Sequence, residues 1–186
     1  MTKTILSASL CLLISFISRA QSSFRPFAGA GYGMENRLGF RGITLQGGAE
    51  YPFTNHLSAA IGADIFYSRS VPKWGDAENA GVYFRQVTPS IKIQYSTGAE
   101  PGKGLILFGG FAIRAGKTHH FESGEYHNGT FLNPVFVTEK ISGHGFILGG
   151  GYGFRLSETM LGRIEFSNHT FLMPNDQYTI SFKVRF

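Results

Sequence analysis

Tyr178-Thr179-Ile180-Ser181-Phe182-Lys183-Val184-Arg185-Phe186 ends the chain. Tyr, Ile, Phe, Val and Phe occupy one parity, and Thr, Ser, Lys and Arg the other. A period of two sustained over nine residues predicts a β-strand with one apolar and one polar, charged face. A strand of this length would also cross a bilayer when tilted, since about 9–11 residues suffice. Which solvent each face meets depends on the rest of the chain.

Seven further segments share the character of the last: 24–34, 41–53, 56–68, 81–96, 104–116, 139–156 and 159–168. Ile43, Leu45, Ala49 and Tyr51 alternate with Thr44, Gln46 and Glu50. Leu57, Ile61, Ile65 and Tyr67 alternate with Ser58, Gly62 and Asp64, and Val87, Ile91, Ile93 and Tyr95 with Gln86, Thr88, Ser90, Lys92 and Gln94. Eight strands make an even, closable number. The connections at 52–55, 97–103 and 155–158 read as tight turns. Those at 68–80, 117–138 and 168–177 read as longer loops, with an intermediate one at 35–40. Short turns on the side of the termini and longer loops opposite are the pattern of a membrane barrel.

Composition narrows the class. The 186 residues include 25 Gly and 18 Phe, are 15% aromatic and only 16% charged, and have a mean hydropathy near zero. Such a chain is too apolar for intrinsic disorder, and beyond the first twenty residues no apolar run reaches the ~18 residues of a spanning helix. Residues 1–20 read as a cleaved secretory signal: Lys3, an apolar stretch from Ile5 to Ile17, and Ser18-Arg19-Ala20. Residues 21–186 are then one barrel domain. The lone Cys11 leaves with the signal. Without Lys3 and Arg19, 15 basic residues face 12 acids, a net of +3 with no dense basic cluster, so no nucleic-acid partner is expected.

The charged face contains Arg25, Glu50, Asp64, Lys92, Arg114, Arg163, Glu165, Lys183 and Arg185. In lipid every backbone group must be paired by closing the sheet, which turns this face into the barrel interior. Eight strands enclose a space that side chains can fill. An ionic core and no wide pore are therefore expected. Tyr51, Tyr95, Phe154 and Phe186 at one end, with Tyr67, Phe166 and Tyr178 at the other, read as two interfacial girdles.

This arrangement over residues 21–186 resembles the eight-stranded bacterial outer-membrane barrels typified by outer-membrane protein X and the outer-membrane protein A barrel. The resemblance implies an all-β, eight-stranded antiparallel transmembrane up-and-down β-barrel in the bacterial outer membrane. It also implies outer-membrane lipid and lipopolysaccharide as surroundings, and a monomer. The strand ending at Phe186 is similar to the terminal signal read by the barrel-assembly machinery. Fold alone carries no activity.

One stretch resembles an enzyme motif. Ser167-Asn168 with Pro174-Asn175-Asp176 is similar to the signature of the lipid A 3-O-deacylases, barrels that remove an acyl chain from lipopolysaccharide. That family has a His two residues before the Ser as base and a Glu about twelve after it; here these positions hold Glu165 and Thr179. His169 is a conceivable substitute base. Parity places Ser167 with Arg163 and Glu165 on the interior face, away from lipid. Gly116-Lys117-Thr118 lacks the upstream glycine of a phosphate loop. Gly149 to Gly153 reads as close packing on a strand. His119, His120 and His127 lack a carboxylate or Cys at metal-site spacing. No cofactor or metal is expected.

The leading expectation is a non-enzymatic outer-membrane barrel with a structural or surface-interaction role. Its aromatic and aliphatic loop residues would carry that role: Val71 and Trp74 in one loop, Phe121, Tyr126, Phe131, Leu132 and Phe136 in another. The alternatives are a deacylase-like ester hydrolase using Ser167 with Glu165 or His169, and a narrow channel for small solutes.

Overall fold

A computed structural model describes residues 24–70, 81–127, 130–172 and 176–186. The proposed signal with Cys11, the loop residues Val71 and Trp74, and Pro174-Asn175 lie outside them, as do the side chains of Tyr126, His127, Phe131 and Leu132. Eight strands follow in order: β1 Arg25–Glu35, β2 Arg41–Pro52, β3 Leu57–Ser70, β4 Val82–Ser96, β5 Gly104–His127, β6 Thr130–Arg155, β7 Leu161–Phe171 and β8 Gln177–Arg185. Each pairs antiparallel with the next, and β8 closes on β1. The described residues contain no helix.

The parity read in the sequence is the parity of the wall. Ile43, Ile61, Ile93, Leu107, Leu148 and Ile180 point outward and are more than half exposed, while Thr44, Glu50, Lys92 and Glu165 are buried inside. The aromatics assigned to the two girdles also face outward. A wall of exposed aliphatic side chains around a polar interior inverts the usual distribution, and only a hydrocarbon surround makes that favourable. The strand at the chain end is the seam. Arg185 pairs with Phe27, Gln177 with Glu35, and the Phe186 N–H donates to the Pro26 carbonyl at 2.9 Å.

Turn chemistry explains the ends. At the end carrying the termini, Thr54 Oγ1 accepts from the His56 and Leu57 N–H groups, and Ser157 Oγ from those of Thr159 and Met160. At the far end the Glu35 carboxylate accepts from the Arg37 and Leu38 N–H groups at 3.0 and 2.8 Å, and Gly39 takes φ 68°, a value open to glycine. Pro89 sits within β4, where it has no N–H to donate. The β4–β5 pairing accordingly skips from Val87↔Ala115 to Ser90↔Ala112.

Four expectations are corrected. The loop expected over 117–138 is mostly sheet: β5 and β6 continue as a hairpin to the pair His127↔Thr130, with register shifts near Ser123. Thr118, His119, Phe121, Val135, Phe136 and Val137 are β-branched or aromatic, and the two strands that carry them satisfy their backbones by pairing. The far-end connections at 36–40 and 172–176 have five residues each, within the four to seven of the turns at the other end, so the longer loop expected over 168–177 is a short one, while eleven residues separate β3 from β4. The interior is also less purely polar than expected. Phe66 and Phe84 pack with Phe40, and Ile106, Phe108 and Ile147 form a second apolar cluster, both inside the wall. Glycines make the room: a Cβ at Gly149 would press on the Phe108 ring and the Phe166 carbonyl. Arg25, expected inside, is only partly buried at the rim.

Candidate functional site

The polar interior is the first place to look for chemistry. In the half nearest the termini, Glu50 is its hub. Its Oε2 takes Arg163 Nη2 at 2.5 Å and lies 3.6 Å from Arg185 Nη1, while its Oε1 accepts from Ser58 Oγ at 2.6 Å. Glu165 takes Lys183 Nζ at 2.6 Å and faces Arg163 Nη1 at 3.8 Å, and Arg163 also donates to Gln94. Lys92 and Lys183 lie over the Phe108 and Phe27 rings. The turn at 97–103 folds under this cluster. Arg185 donates to the Pro101 carbonyl, the Gly102 N–H donates to Ser96 Oγ at 2.8 Å, and Gly102 has no side chain to collide with the Arg163 guanidinium.

Midway along the interior stand the residues that the enzyme motif singled out. Ser167 and His169, two apart on β7, both point inward, and Asp64 of β3 approaches from across the lumen. Ser167 Oγ is 3.4 Å from His169 Nε2, and Asp64 Oδ2 is 3.5 Å from the same nitrogen. A serine relay needs its two partners on opposite ring nitrogens: one takes the proton while the acid orients the other. Here both crowd Nε2, and Nδ1 has no partner. Glu165 is engaged by Lys183 and Arg163. Ser167 is buried within the wall, so an acyl ester in surrounding lipid has no path to it. The three residues are brought together, but as a packed polar contact.

The far half of the lumen is held differently. Arg114 lies over the Phe171 ring, its guanidinium carbon 4.2 Å from the centroid, with Glu35 and Asp176 as its carboxylate neighbours, and Gln86 donates to Gln177 at 2.7 Å. Above them a cavity of about 260 Å³ opens at the mouth, bordered by Arg37, Thr118, His120 and Glu139. Glu35, Gln86 and Gln177 were not singled out from sequence, although their inward parity was available there. His119 stacks between Tyr83 and Phe136 on the outward face, whereas His120 borders the mouth. Adjacent strand residues face opposite ways, which separates this pair as metal ligands. Among the described residues no cluster of metal-binding side chains occurs. Phe121 packs edge-on against Phe136 across the hairpin.

No protein-family model matches the sequence, and no curated protein matches it. Solved structures do. Neisserial surface protein A is similar over 87% of this chain and 95% of its own, at 14% identity and a TM-score of 0.54. Ail, the attachment invasion locus protein of Yersinia pestis, solved with the heparin analogue sucrose octasulfate, is similar over 88% and 98%, at 12% identity and 0.56. The N-terminal β-barrel domain of Pseudomonas aeruginosa OprF is similar over 87% and 96%, at 13% and 0.50. What they share with this chain is the fold. It is the small closed barrel seen in these bacterial surface and outer-membrane proteins, and at such identities it specifies no ligand.

Proposed function

We propose that this protein is a small, non-enzymatic barrel of the bacterial outer membrane, acting as a structural element and through the surface it raises above the lipid. The observation that carries this reading is the pairing of an apolar outer wall with an interior filled by ion-paired side chains. Between Phe27, Lys92, Arg163 and Lys183 only about 10 Å³ of free space remains, room for about one water molecule. A solute would have to break several buried charge pairs to pass, which argues for a plug against the narrow channel. In this reading both termini are periplasmic, export is directed by residues 1–20, and the β5–β6 hairpin is external. The terminal strand that seals the barrel is the element offered to the assembly machinery, and the monomer is complete because its sheet has no free edge.

The raised surface supplies the interaction role. Ail takes a sulfated saccharide in its solved complex. The projecting hairpin here, with Glu122, Glu125 and the Phe121–Phe136 contact, is the exposed element that this reading offers to a partner.

Two measurements test the reading. The mature chain extracted in detergent should migrate differently on gels before and after heating, as a closed barrel does. In planar bilayers it should give no steady ohmic steps. A chain that dissolves without detergent and shows one mobility overturns the barrel in lipid, and regular conductance steps overturn the plug.

A further inference from the structure

The outward face of the wall changes character over one residue pair near its far end. Ile65, Val87 and Ala115 lie side by side on β3, β4 and β5, and all face lipid. Two residues farther out, about 7 Å along the strands, come Tyr67, Arg85 and Lys117, followed by Lys140 on β6. Arg85 pairs directly with Lys117, and Lys117 directly with Lys140. All three are exposed and outward. Directly opposed side chains on antiparallel neighbours stand about 4.5–5.5 Å apart at Cβ, where like charges destabilise the sheet. Arg41 on β2 and Arg69 on β3 lie on the same face beside this row. None of the five cations forms an ion pair with a described carboxylate.

A second feature lies directly below. A cleft of about 530 Å³ indents the wall between Ile65, Tyr67, Val87 and Ala115, with Arg85 and Lys117 on its rim. Its floor is low because Ala115 puts only a methyl group where its neighbours on the outward face carry Val87 and Ile113. An apolar trough under a cationic row fits one chemical class, an anionic lipid with its chain in the trough and its head on the row. The row's width narrows the class. It spans three strands, about 10 Å at the usual interstrand spacing, enough for two phosphates on a disaccharide, where a single phosphodiester would meet only part of it.

We infer that Arg85, Lys117 and Lys140 form a seat for the two phosphates of a bisphosphorylated glycolipid of the lipid A type, with one acyl chain in the cleft beneath. The assignment rests on the proposed orientation, which puts this row in the outer leaflet. The lipid supplies the counter-charge that the protein lacks here.

Native mass spectrometry of the detergent-solubilised mature protein with bisphosphorylated lipid A, monophosphorylated lipid A and phosphatidylglycerol tests it. The expected result is one tightly retained bisphosphorylated lipid, held at least tenfold more tightly than phosphatidylglycerol, with the monophosphorylated form between. The triple variant R85Q/K117Q/K140Q should lose that preference, while K103Q/R155Q at the opposite end keeps it. The single variant K117Q covers the case in which the triple fails to fold. Without lipid, removing the central charge relieves repulsion and raises the urea midpoint; with lipid A added, K117Q should gain less stability than the parent. Equal retention of phosphatidylglycerol, unchanged binding in these variants, or an equal loss in K103Q/R155Q would overturn the seat. Heat-modifiable migration, read on the same samples, reports the barrel separately, so failure of the seat and failure of the fold give different results.

Discussion

β7, β8, β1 and β2 run 9–12 residues, while β5 and β6 run 24 and 26. The first group is about as long as a hydrocarbon crossing requires, and nearly every residue in it is spent on the wall or the lumen. The β5–β6 hairpin makes the same crossing and then continues for a comparable distance as a two-stranded ribbon. Lipid and a packed interior dictate the first region, side chain by side chain. Beyond the rim neither constraint acts: both faces of the ribbon are exposed around Glu122 to Glu125, the register shifts twice, and Asn133 takes a positive φ. Stability belongs to the short side, and freedom to meet a partner belongs to the long one.

The most damaging way to break the short side is through Glu50. Glu50→Leu leaves Arg163 and Arg185 without their shared carboxylate inside the barrel, and removing one partner of a buried charge pair costs about 3–5 kcal/mol. Urea unfolding in detergent should show the loss, and Glu50→Gln should recover part of it by keeping the Ser58 contact. A smaller loss is expected from Gly149→Val, which forces a branched side chain against Phe108. Overpacking of this kind costs about 1–3 kcal/mol, and Phe108→Ala in the same chain should restore part of the midpoint.

Ser167→Ala comes next. It removes a long hydrogen bond to His169, worth at most about 1 kcal/mol, and the acyl pattern of lipid A from cells expressing the variant should match that from cells with the parent. Loss of an acyl chain that depends on Ser167 would contradict the non-enzymatic reading. The smallest effect should come from the long side. Replacing residues 119–138 with Asn-Gly joins Thr118 to Glu139 through a tight hairpin turn. Since a two-stranded ribbon is marginal by itself, the shortened barrel should keep its heat-modifiable migration while losing any partner that the hairpin holds.

Much of this was legible in the residues. Alternation in 43–51, 57–67, 86–95 and 178–186 identified the wall, its parity and eight strands, because a barrel between two solvents forces every strand to separate them with period two. Parity also put Ser167 inside before any coordinates. The hairpin was missed because its residues alternate weakly: with both faces exposed, no solvent boundary imposes the period. The interior phenylalanines were missed for a related reason. Phe27, Phe66 and Phe108 sit against glycines on nearby strands that leave space for them, and that pairing of large with small runs across strands.

The amino-acid sequence by itself determined the architecture, the lipid-facing surface and most of the charges that lie within, Arg25 and Glu35 excepted, since each follows from local periodicity and the cost of placing polar groups in hydrocarbon. The register of closure belonged to the tertiary structure. It brought Glu50 to Arg163 and Arg185, set Asp64 on the His169 nitrogen that Ser167 also faces, and aligned Arg85, Lys117 and Lys140 on one line. Those contacts join residues far apart in the chain, and a shift of neighbouring strands by two residues would preserve every alternation while dissolving all of them.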